Sequence, residues 1–362
     1  MGRILAGVLL LAGCVGDRPE VNPPSETGGG ENTGGTPGSV THLAPQVCND
    51  LSWQVATGGE VDFAAVGRGQ DVQVLAVPLA GGAVSAFTFD KGSNLQQVKP
   101  AIQLATGMTG VSASRMGQYV IATSTDATSL QVTALTPDLA NALPLATLAP
   151  GLVAKDAFQV ADFTSILPVA DDQGLRIETF DPQWNQTTIR VASTDPAIAM
   201  TAAPMQYATV AAWSTVSSCH AMTMYTAQTG AMTTMPGACL APALAIDPAT
   251  ELGVLVFEGN DGVRMIGWEH QSVVGVSQLL SLGGSSPHAM FDGHRMWISL
   301  LDADQHLVVG YLDADRYIST TLTTHPLAQA YDLVMMDGSV WAISNVHDQF
   351  TVQRLCVEPT NG

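Results

Sequence analysis

The sequence predicts an all-β fold made of about seven repeats, each with roughly four short strands. After residue 45, short apolar or alternating runs are separated by turn residues, a pattern typical of β-strands, and no long stretch has the 3.6-residue periodicity of a helix. Strand-like segments of one kind recur with spacings of 59, 44, 46, 42, 44 and 44 residues. They begin near Val72, Gln131, Leu175, Ala221, Val263, Leu307 and Thr351.

The turns before these strands repeat at intervals of 43 to 46 residues. Their positions are Asp126, Asp172, Ser218, Asp261, Asp304 and Asp348. Two late units also share an Asp-Gly pair before a strand that contains a tryptophan: Asp292-Gly293 before Trp297, and Asp337-Gly338 before Trp341. Asp-Gly predicts a two-residue hairpin turn, because both central positions of that turn favour positive φ.

A repeat of this length and strand content resembles the blade of a β-propeller. Each four-stranded sheet has two apolar faces, which neighbouring sheets bury, and closing the ring leaves no end sheet exposed. The 318 residues from 45 to 362 fit a seven-bladed β-propeller, with six or eight blades as the alternatives. The Trp-Asp ending of WD40 blades and the paired glycines of kelch blades are absent, so no subfamily is indicated.

The two ends of the repeat region predict how the ring closes. Only six residues follow Cys356, too few for an outermost strand, whereas residues 45–50 form a spare short strand before a first blade that we expect to begin at 52–57. An N-terminal strand that completes the last blade would place Cys48 beside Cys356. A hairpin centred on residues 227–230 would place Cys219 opposite Cys239. Of the three pairings open to these four cysteines, we therefore expect Cys48–Cys356 and Cys219–Cys239.

The first fourteen residues, MGRILAGVLLLAGC, have the pattern of an export signal. Arg3 precedes an apolar run at 4–11 that is too short to span a bilayer. Residues 11–14, Leu-Ala-Gly-Cys, resemble the lipobox of bacterial lipoproteins in all four positions; an ordinary signal peptide with an incidental cysteine is the alternative. The resemblance implies cleavage before Cys14 and acylation, including palmitate-type chains, at that residue. In bacterial lipoproteins an Asp directly after the cysteine often retains the protein in the inner membrane. Because Val15 stands at that position here, the resemblance implies the outer membrane, on its periplasmic or surface face.

Composition divides the chain into a signal peptide (1–13), a lipidated tether (14–44) and the propeller (45–362). The tether is rich in Gly, Pro, Thr and Glu and has few large apolar side chains, so it cannot bury enough surface to fold. The formal net charge is −19, from 32 acidic and 13 basic residues. Phosphate backbones would repel so acidic a chain, which excludes nucleic acid as a partner. We expect a monomer.

Familiar catalytic motifs are missing from the sequence. GxSxG, HExxH, a phosphate-binding glycine loop and CxxCH do not occur. We therefore assign no catalytic residue, no metal and no cofactor.

Two groups of residues are candidate cation or metal sites, but each also has a simpler structural explanation. The turn aspartates at 126, 172, 261, 304 and 348 would lie on one rim of the disc, with Asp71 and Asp171, and could bind Ca²⁺ or a cationic ligand. Aspartate also caps tight turns, and we expect Asp304 to do so. The second group is His220, Met222, Met224 and Met232, whose ligand types suit Cu(I) but whose methionines also fill gaps between sheets.

The mouth of the central channel is the preferred candidate site. Inner strands are expected to begin near Asp156, His288 and Asp332, so these three residues would converge there with Lys155. They could bind a ligand, hold a metal or perform acid–base chemistry, or each could be a solvated strand-end residue. We expect His288 and Asp332 to be accessible to solvent, so that substitutions there would weaken binding with little effect on folding.

The function predicted from these features is that of a binding or scaffolding module. The protein would be lipid-anchored outside the cytoplasm in the bacterial envelope, and its partner would be another envelope protein or a small molecule. The alternatives are a metal-dependent hydrolase or lyase that uses the channel mouth, and a structural part of an envelope complex.

Overall fold

The computed structural model contains seven four-stranded antiparallel sheets, arranged as a seven-bladed β-propeller. It describes residues 43–54, 60–68, 71–90, 102–103, 107–116, 118–139, 141–161, 164–190, 195–206, 208–225, 228–313, 316–322, 330–346 and 349–357. The regular elements in these ranges are all strands, as the sequence predicts. Over the same ranges, no helix has the length and hydropathy needed to cross a membrane. Cys14, residues 15–42 and Asp348 lie outside the described residues.

The strands are numbered along the chain, and within each blade they run from the channel outward. β1 (Gln46–Gln54) precedes blade 1, which contains β2 (Val61–Arg68), β3 (Asp71–Pro78), β4 (Ser85–Asp90) and β5 (Ile102–Gln103). Blade 2 contains β6 (Gly110–Met116), β7 (Tyr119–Thr125), β8 (Leu130–Leu135) and β9 (Ala142–Leu148). Blade 3 contains β10 (Gln159–Ala161), β11 (Thr164–Asp171), β12 (Gly174–Phe180) and β13 (Gln186–Arg190).

The remaining blades follow the same order. Blade 4 contains β14 (Ala199–Pro204), β15 (Thr209–Ser214), β16 (Ser218–Met224) and β17 (Thr229–Pro236). Blade 5 contains β18 (Leu240–Ile246), β19 (Leu252–Gly259), β20 (Gly262–Glu269) and β21 (Ser272–Leu282). Blade 6 contains β22 (Ser285–Phe291), β23 (Met296–Leu301), β24 (Leu307–Asp313) and β25 (Arg316–Leu322). Blade 7 contains β26 (Ala330–Met336), β27 (Ser339–Val346), β28 (Gln349–Cys356) and β1.

The N-terminal strand closes the ring, as expected. β1 pairs antiparallel with β28, with Gln46 opposite Cys356, and the Cys48–Cys356 disulfide joins the two strands at a Cα–Cα distance of 5.9 Å. The expected start of blade 1 at residues 52–57 is wrong, because residues 52–54 continue β1. Blade 1 begins instead at Val61.

The long first spacing of 59 residues has a simple explanation. The segment at Val72 is β3, the second strand of its blade, whereas the other six repeat segments are third strands. The equivalent third strand of blade 1 is β4, which begins at Ser85, 45 residues before Leu130 at the start of β8. Second and third strands are both buried on two faces, so their apolar runs look alike in the sequence.

Apolar clusters fill the interfaces between adjacent blades. Between blades 7 and 1, for example, the rings of Phe63 and Phe350 meet edge to face with centroids 5.3 Å apart, beside buried Trp341. The other six interfaces in the described chain have clusters of the same kind. Burial of apolar surface between blades therefore holds the ring together.

The second disulfide joins the expected cysteines in an unexpected geometry. Cys219 and Cys239 are bonded, with Cα atoms 5.2 Å apart. In the β16–β17 hairpin, however, Cys219 pairs with Met235, so the predicted register is wrong. Cys239 lies directly before β18. The bond therefore links the third strand of blade 4 to the entry of blade 5.

The two Asp-Gly turns differ. Asp337 and Gly338 have φ values of 53° and 65° between paired Met336 and Ser339, the predicted two-residue turn. The turn at Asp292 is longer than predicted. The Asp292 carboxylate accepts hydrogen bonds from the His294 and Arg295 amides and from the Trp297 indole at 2.6 to 2.7 Å, which stabilises a four-residue turn.

Candidate functional site

The inner strands of the blades surround a cavity of about 760 Å³ at the centre of the disc. Its wall is formed by residues of β2, β6, β14, β18, β22 and β26, together with the connection that precedes β10. Most of these residues are small or apolar. The polar side chains are concentrated near the end at which the inner strands begin, which we call the channel mouth.

Blade 3 has an interrupted inner strand. Leu152 pairs with Ala170, and Gln159 pairs with Ile166, so seven steps along the inner strand lie opposite four steps of β11. The three extra residues are accommodated by an excursion at residues 153–158, which we call the blade 3 excursion. Extra residues of this kind interrupt the ladder and redirect side chains, and they are frequent next to functional sites.

The blade 3 excursion is fastened to blade 2. The Ser112 hydroxyl donates to the Ala154 carbonyl at 2.6 Å, and the Asp156 amide donates to the Ala113 carbonyl at 3.0 Å. The Phe158 amide donates to the Ser114 hydroxyl at 3.0 Å. Asp156 adopts φ of 54°, a left-handed conformation that aspartate and asparagine tolerate better than most residues. The excursion therefore has a defined path along β6.

Lys155 extends from the blade 3 excursion to the inner strand of blade 7. Its ammonium group donates to Asp332 Oδ1 at 2.8 Å and to the Leu333 carbonyl at 2.6 Å. The other oxygen of Asp332 accepts the amide of Ala65 in blade 1 at 3.0 Å. Burial opposes ionisation of Asp332, but Lys155 and His288 outweigh it and lower the pKa of this carboxyl. Three blades thus meet at one carboxylate.

His288 lies on the other side of Asp332. Its Nδ1 is 3.6 Å from Asp332 Oδ1, and its ring centroid is 4.5 Å from that of Tyr331. The Tyr331 hydroxyl donates to the Ser286 carbonyl, and burial raises the pKa of this phenol well above its usual value. The His288 side chain is 38 % exposed, so it faces the mouth.

Two further carboxylates, those of Asp156 and Asp62, lie near Asp332 and have few hydrogen-bond donors to stabilise their charge. Burial raises the pKa of Asp156; nearby Lys155 lowers it in part, and Asp332 raises it further. Among the described residues, the Asp156 carboxylate has no hydrogen-bond donor. Burial also raises the pKa of Asp62, although the Val111 amide donates to it at 3.4 Å. The channel mouth therefore has negative charge that is incompletely neutralised.

The sequence-predicted residues Lys155, Asp156, His288 and Asp332 are brought together at the mouth. The prediction that Asp332 is accessible is wrong, since the residue is 3 % exposed and hydrogen-bonded on both oxygens. Asp62 was missed because the start of blade 1 was misplaced. Its position as the second residue of an inner strand would have identified it.

A buried ion-pair network anchors the connection that leads into the blade 3 excursion. Arg176 is 2 % exposed and contacts Asp171 at 2.5 Å and Glu178 at 2.8 Å. It also donates to the carbonyls of Ala149 and Pro150. Because those carbonyls belong to the chain entering blade 3, the network fixes the segment that carries Lys155.

Of the turn aspartates in the described residues, Asp126 acts as a cap, whereas Asp304 does not and Asp261 pairs with Arg264. Asp126 Oδ1 accepts hydrogen bonds from the Thr128 hydroxyl and from the amides of Thr128 and Ser129, and these bonds lower the pKa of Asp126. In blade 6 the capping residue is Asp302, whose carboxylate accepts the amides of Asp304 and His306, both at 2.9 Å. The expectation that the Asp304 carboxylate makes the turn hydrogen bond is therefore wrong, because that role belongs to the first residue of the turn.

In the described part of the chain, the one group with three possible metal ligands within 4.8 Å of one another is Asp302, Asp304 and His306. These side chains lie at the rim and are explained by the capped turn. The described residues of the channel mouth do not form such a group.

The methionine group contributes to packing. Met222 and Met224 belong to the apolar cluster between blades 3 and 4, together with Trp213. The His220 ring stacks on Trp213 with centroids 5.2 Å apart, and its Nδ1 is 3.0 Å from the Thr234 hydroxyl. Burial lowers the pKa of His220. Met232 is 41 % exposed.

No protein-family model matches the chain, and no curated protein matches it. Several solved structures share the fold. Hydrazine synthase of Kuenenia stuttgartiensis is 11 % identical, with a TM-score of 0.60 over 82 % of this chain and 96 % of that one. BBS1N in complex with ARL6DN is 10 % identical, with a TM-score of 0.54 over 88 % and 99 % of the two chains. YCF48 bound to D1 peptide is 11 % identical, with a TM-score of 0.53 over 89 % and 99 %.

Proposed function

We propose that the protein is a lipid-anchored binding module of the bacterial envelope, and that its ligand binds at the channel mouth. The observation that carries the proposal is the Lys155–Asp332 ion pair, which crosses between blades 3 and 7 beside a cavity of about 760 Å³. A concave site with a few convergent polar groups on a rigid scaffold is the usual form of a small-molecule or peptide site.

Two observations favour binding over catalysis. Asp332, the carboxylate that lies between Lys155 and His288, is already paired with an ammonium group. Two of the three solved propellers described above are themselves in complexes, with ARL6DN and with D1 peptide, which supports a protein or peptide as one kind of partner.

The lipobox at residues 11–14 supports the anchor.

The anchor can be tested by labelling cells with radioactive palmitate. The wild-type protein should incorporate label and sediment with membranes, and Cys14→Ser should do neither. Covalent label on the Cys14→Ser protein would contradict the anchor.

The binding site can be tested with a panel of neutral, anionic and cationic small molecules that are screened for stabilisation of the purified protein. At least one class should raise the melting temperature of the wild type, and His288→Ala should reduce that shift because the side chain faces the mouth. Asp304→Ala, at the rim, is the matched control and should keep the full shift. A shift lost on Asp304→Ala and kept on His288→Ala would contradict a channel-mouth site.

A further inference from the structure

The channel mouth contains an ammonium group that is supplied by the protein itself. Asp332 Oδ1 and the Leu333 carbonyl form a small acceptor site, and Lys155 occupies it with hydrogen bonds of 2.8 and 2.6 Å. This geometry suits a primary ammonium, which has three donors on a compact charge. The Lys155 side chain is 27 % exposed, so its charged end is reachable from the cavity.

Charge at the mouth exceeds what Lys155 neutralises. Asp156 and Asp332 line the cavity with one lysine and one imidazole, that of His288. Asp62 does not line it but lies within electrostatic range of Asp332. Arg115 also lines the cavity, but it is the penultimate residue of β6 and lies toward the opposite end. A second cation would therefore find a carboxylate without a described donor, at Asp156, directly beside the site that Lys155 fills.

We propose that the channel mouth binds an organic primary ammonium group, and that Lys155 is an intramolecular occupant which the ligand displaces from Asp332. The inference rests on the proposed binding function and names the ligand class. Displacement exchanges one ammonium–carboxylate pair for another, and the released Lys155 lies next to Asp156. With ligand bound, two ammonium groups face Asp156 and Asp332. The net charge of −19 favours the approach of a cation.

Isothermal titration calorimetry with pentane-1,5-diamine tests this proposal. Lys155→Met removes the competing ammonium and retains an unbranched side chain, so it should bind the diamine at least about tenfold more tightly than the wild type. Asp156→Asn should weaken binding by about tenfold and should fold normally, since asparagine tolerates the same backbone conformation. Arg264→Met, which removes a partly exposed arginine in blade 5, is the matched control and should bind like the wild type.

Two further probes define the chemistry. Tetramethylammonium carries the same charge but has no N–H donor, so it should not compete with the diamine. Nα-acetyl-lysine amide distinguishes a peptide lysine from a free diamine as the source of the ammonium group. Tighter binding of the lysine amide would indicate a peptide ligand, and tighter binding of the diamine would indicate a small amine.

The outcomes separate this inference from the proposed function. Equal diamine affinity in the wild type and Lys155→Met would overturn the displacement, and absence of diamine binding in both would overturn the ammonium site. If a neutral or anionic compound binds instead and His288→Ala weakens it, the binding function stands while the ammonium inference fails. If no compound of any class binds, both fail.

Discussion

Blades 3 and 5 carry an arginine at the same strand position in opposite environments. Arg176 is the third residue of β12, and Arg264 is the third residue of β20. Arg176 is buried among two carboxylates and two carbonyls, whereas the Arg264 side chain is 30 % exposed and pairs with Asp261 of its own turn. Arg176 also lies against the connection from blade 2, whose carbonyls at Ala149 and Pro150 need donors.

The two blades also secure their entries by different means. Arg176 holds the entry to blade 3 through hydrogen bonds to Ala149 and Pro150. The Cys219–Cys239 disulfide holds the entry to blade 5. Blade 5 keeps a seven-residue inner strand, while blade 3 has three residues and the excursion that brings Lys155 to the channel. The inner strand of blade 3, which carries Lys155, therefore departs from the repeat that the inner strand of blade 5 keeps.

The largest expected effect is that of Arg176→Met. It leaves Asp171 and Glu178 buried without their cation, which should lower the free energy of unfolding by about 3–5 kcal/mol. Arg264→Met is the matched control and should not measurably change it. Denaturant unfolding of both variants checks the comparison. Equal losses in the two variants would show that burial does not distinguish the two arginines.

Removal of the second disulfide should have the next largest effect. Replacing Cys219 and Cys239 by alanine frees a loop with a sequence separation of 20, for which the chain-entropy model gives about 3 kcal/mol. Denaturant unfolding under oxidising conditions would measure the loss. A change below about 1 kcal/mol would mean that packing alone holds the entry of blade 5.

A smaller loss is expected at the rim, where carboxylates serve turns rather than the site. Asp302→Ala removes the acceptor of two backbone amides and should lower stability by about 1 kcal/mol. Asp304→Ala removes none and should leave thermal unfolding unchanged. The reverse ranking would mean that the Asp302 cap does not stabilise this turn.

Asp156→Asn should raise stability at pH 7. Burial raises the pKa of Asp156 above its unfolded value, so the folded protein takes up more protons there than the unfolded chain. The free energy of unfolding therefore falls as pH rises through the folded pKa, and asparagine removes that loss. The advantage of the variant should be absent near pH 3 and grow toward neutrality. A stability difference between the variant and the wild type that does not change with pH would contradict a raised pKa of Asp156.

Sequence patterns predicted more of the fold than of the site. The 44-residue period, the closing strand and the Cys48–Cys356 pair follow from turn residues and spacing. The Cys219–Cys239 pair is right, but it was predicted from a hairpin register that the structure does not have. Errors arose where two strands look alike, as with β3 and β4, or where a turn lies about two residues from its predicted centre, as in the β16–β17 hairpin, in which Met224 pairs with Thr229. Asp332 was expected to be exposed because it lies near the start of an inner strand. The local sequence does not show that Lys155, from another blade, covers it.

The sequence by itself determined the kind of element, the repeat and the direction of ring closure, because apolar periodicity and turn chemistry act over a few residues. The repeat spacing placed Lys155, Asp156, His288 and Asp332 near the channel mouth, but only the tertiary structure decided which of them contact one another. Gly174-Leu175-Arg176 and Gly262-Val263-Arg264 are nearly the same local sequence, yet one arginine is buried and the other is partly exposed. Lys155 reaches Asp332 across 177 residues because an inner strand carries three extra positions. A contact at that separation depends on how the blades pack around the channel, which no local pattern encodes.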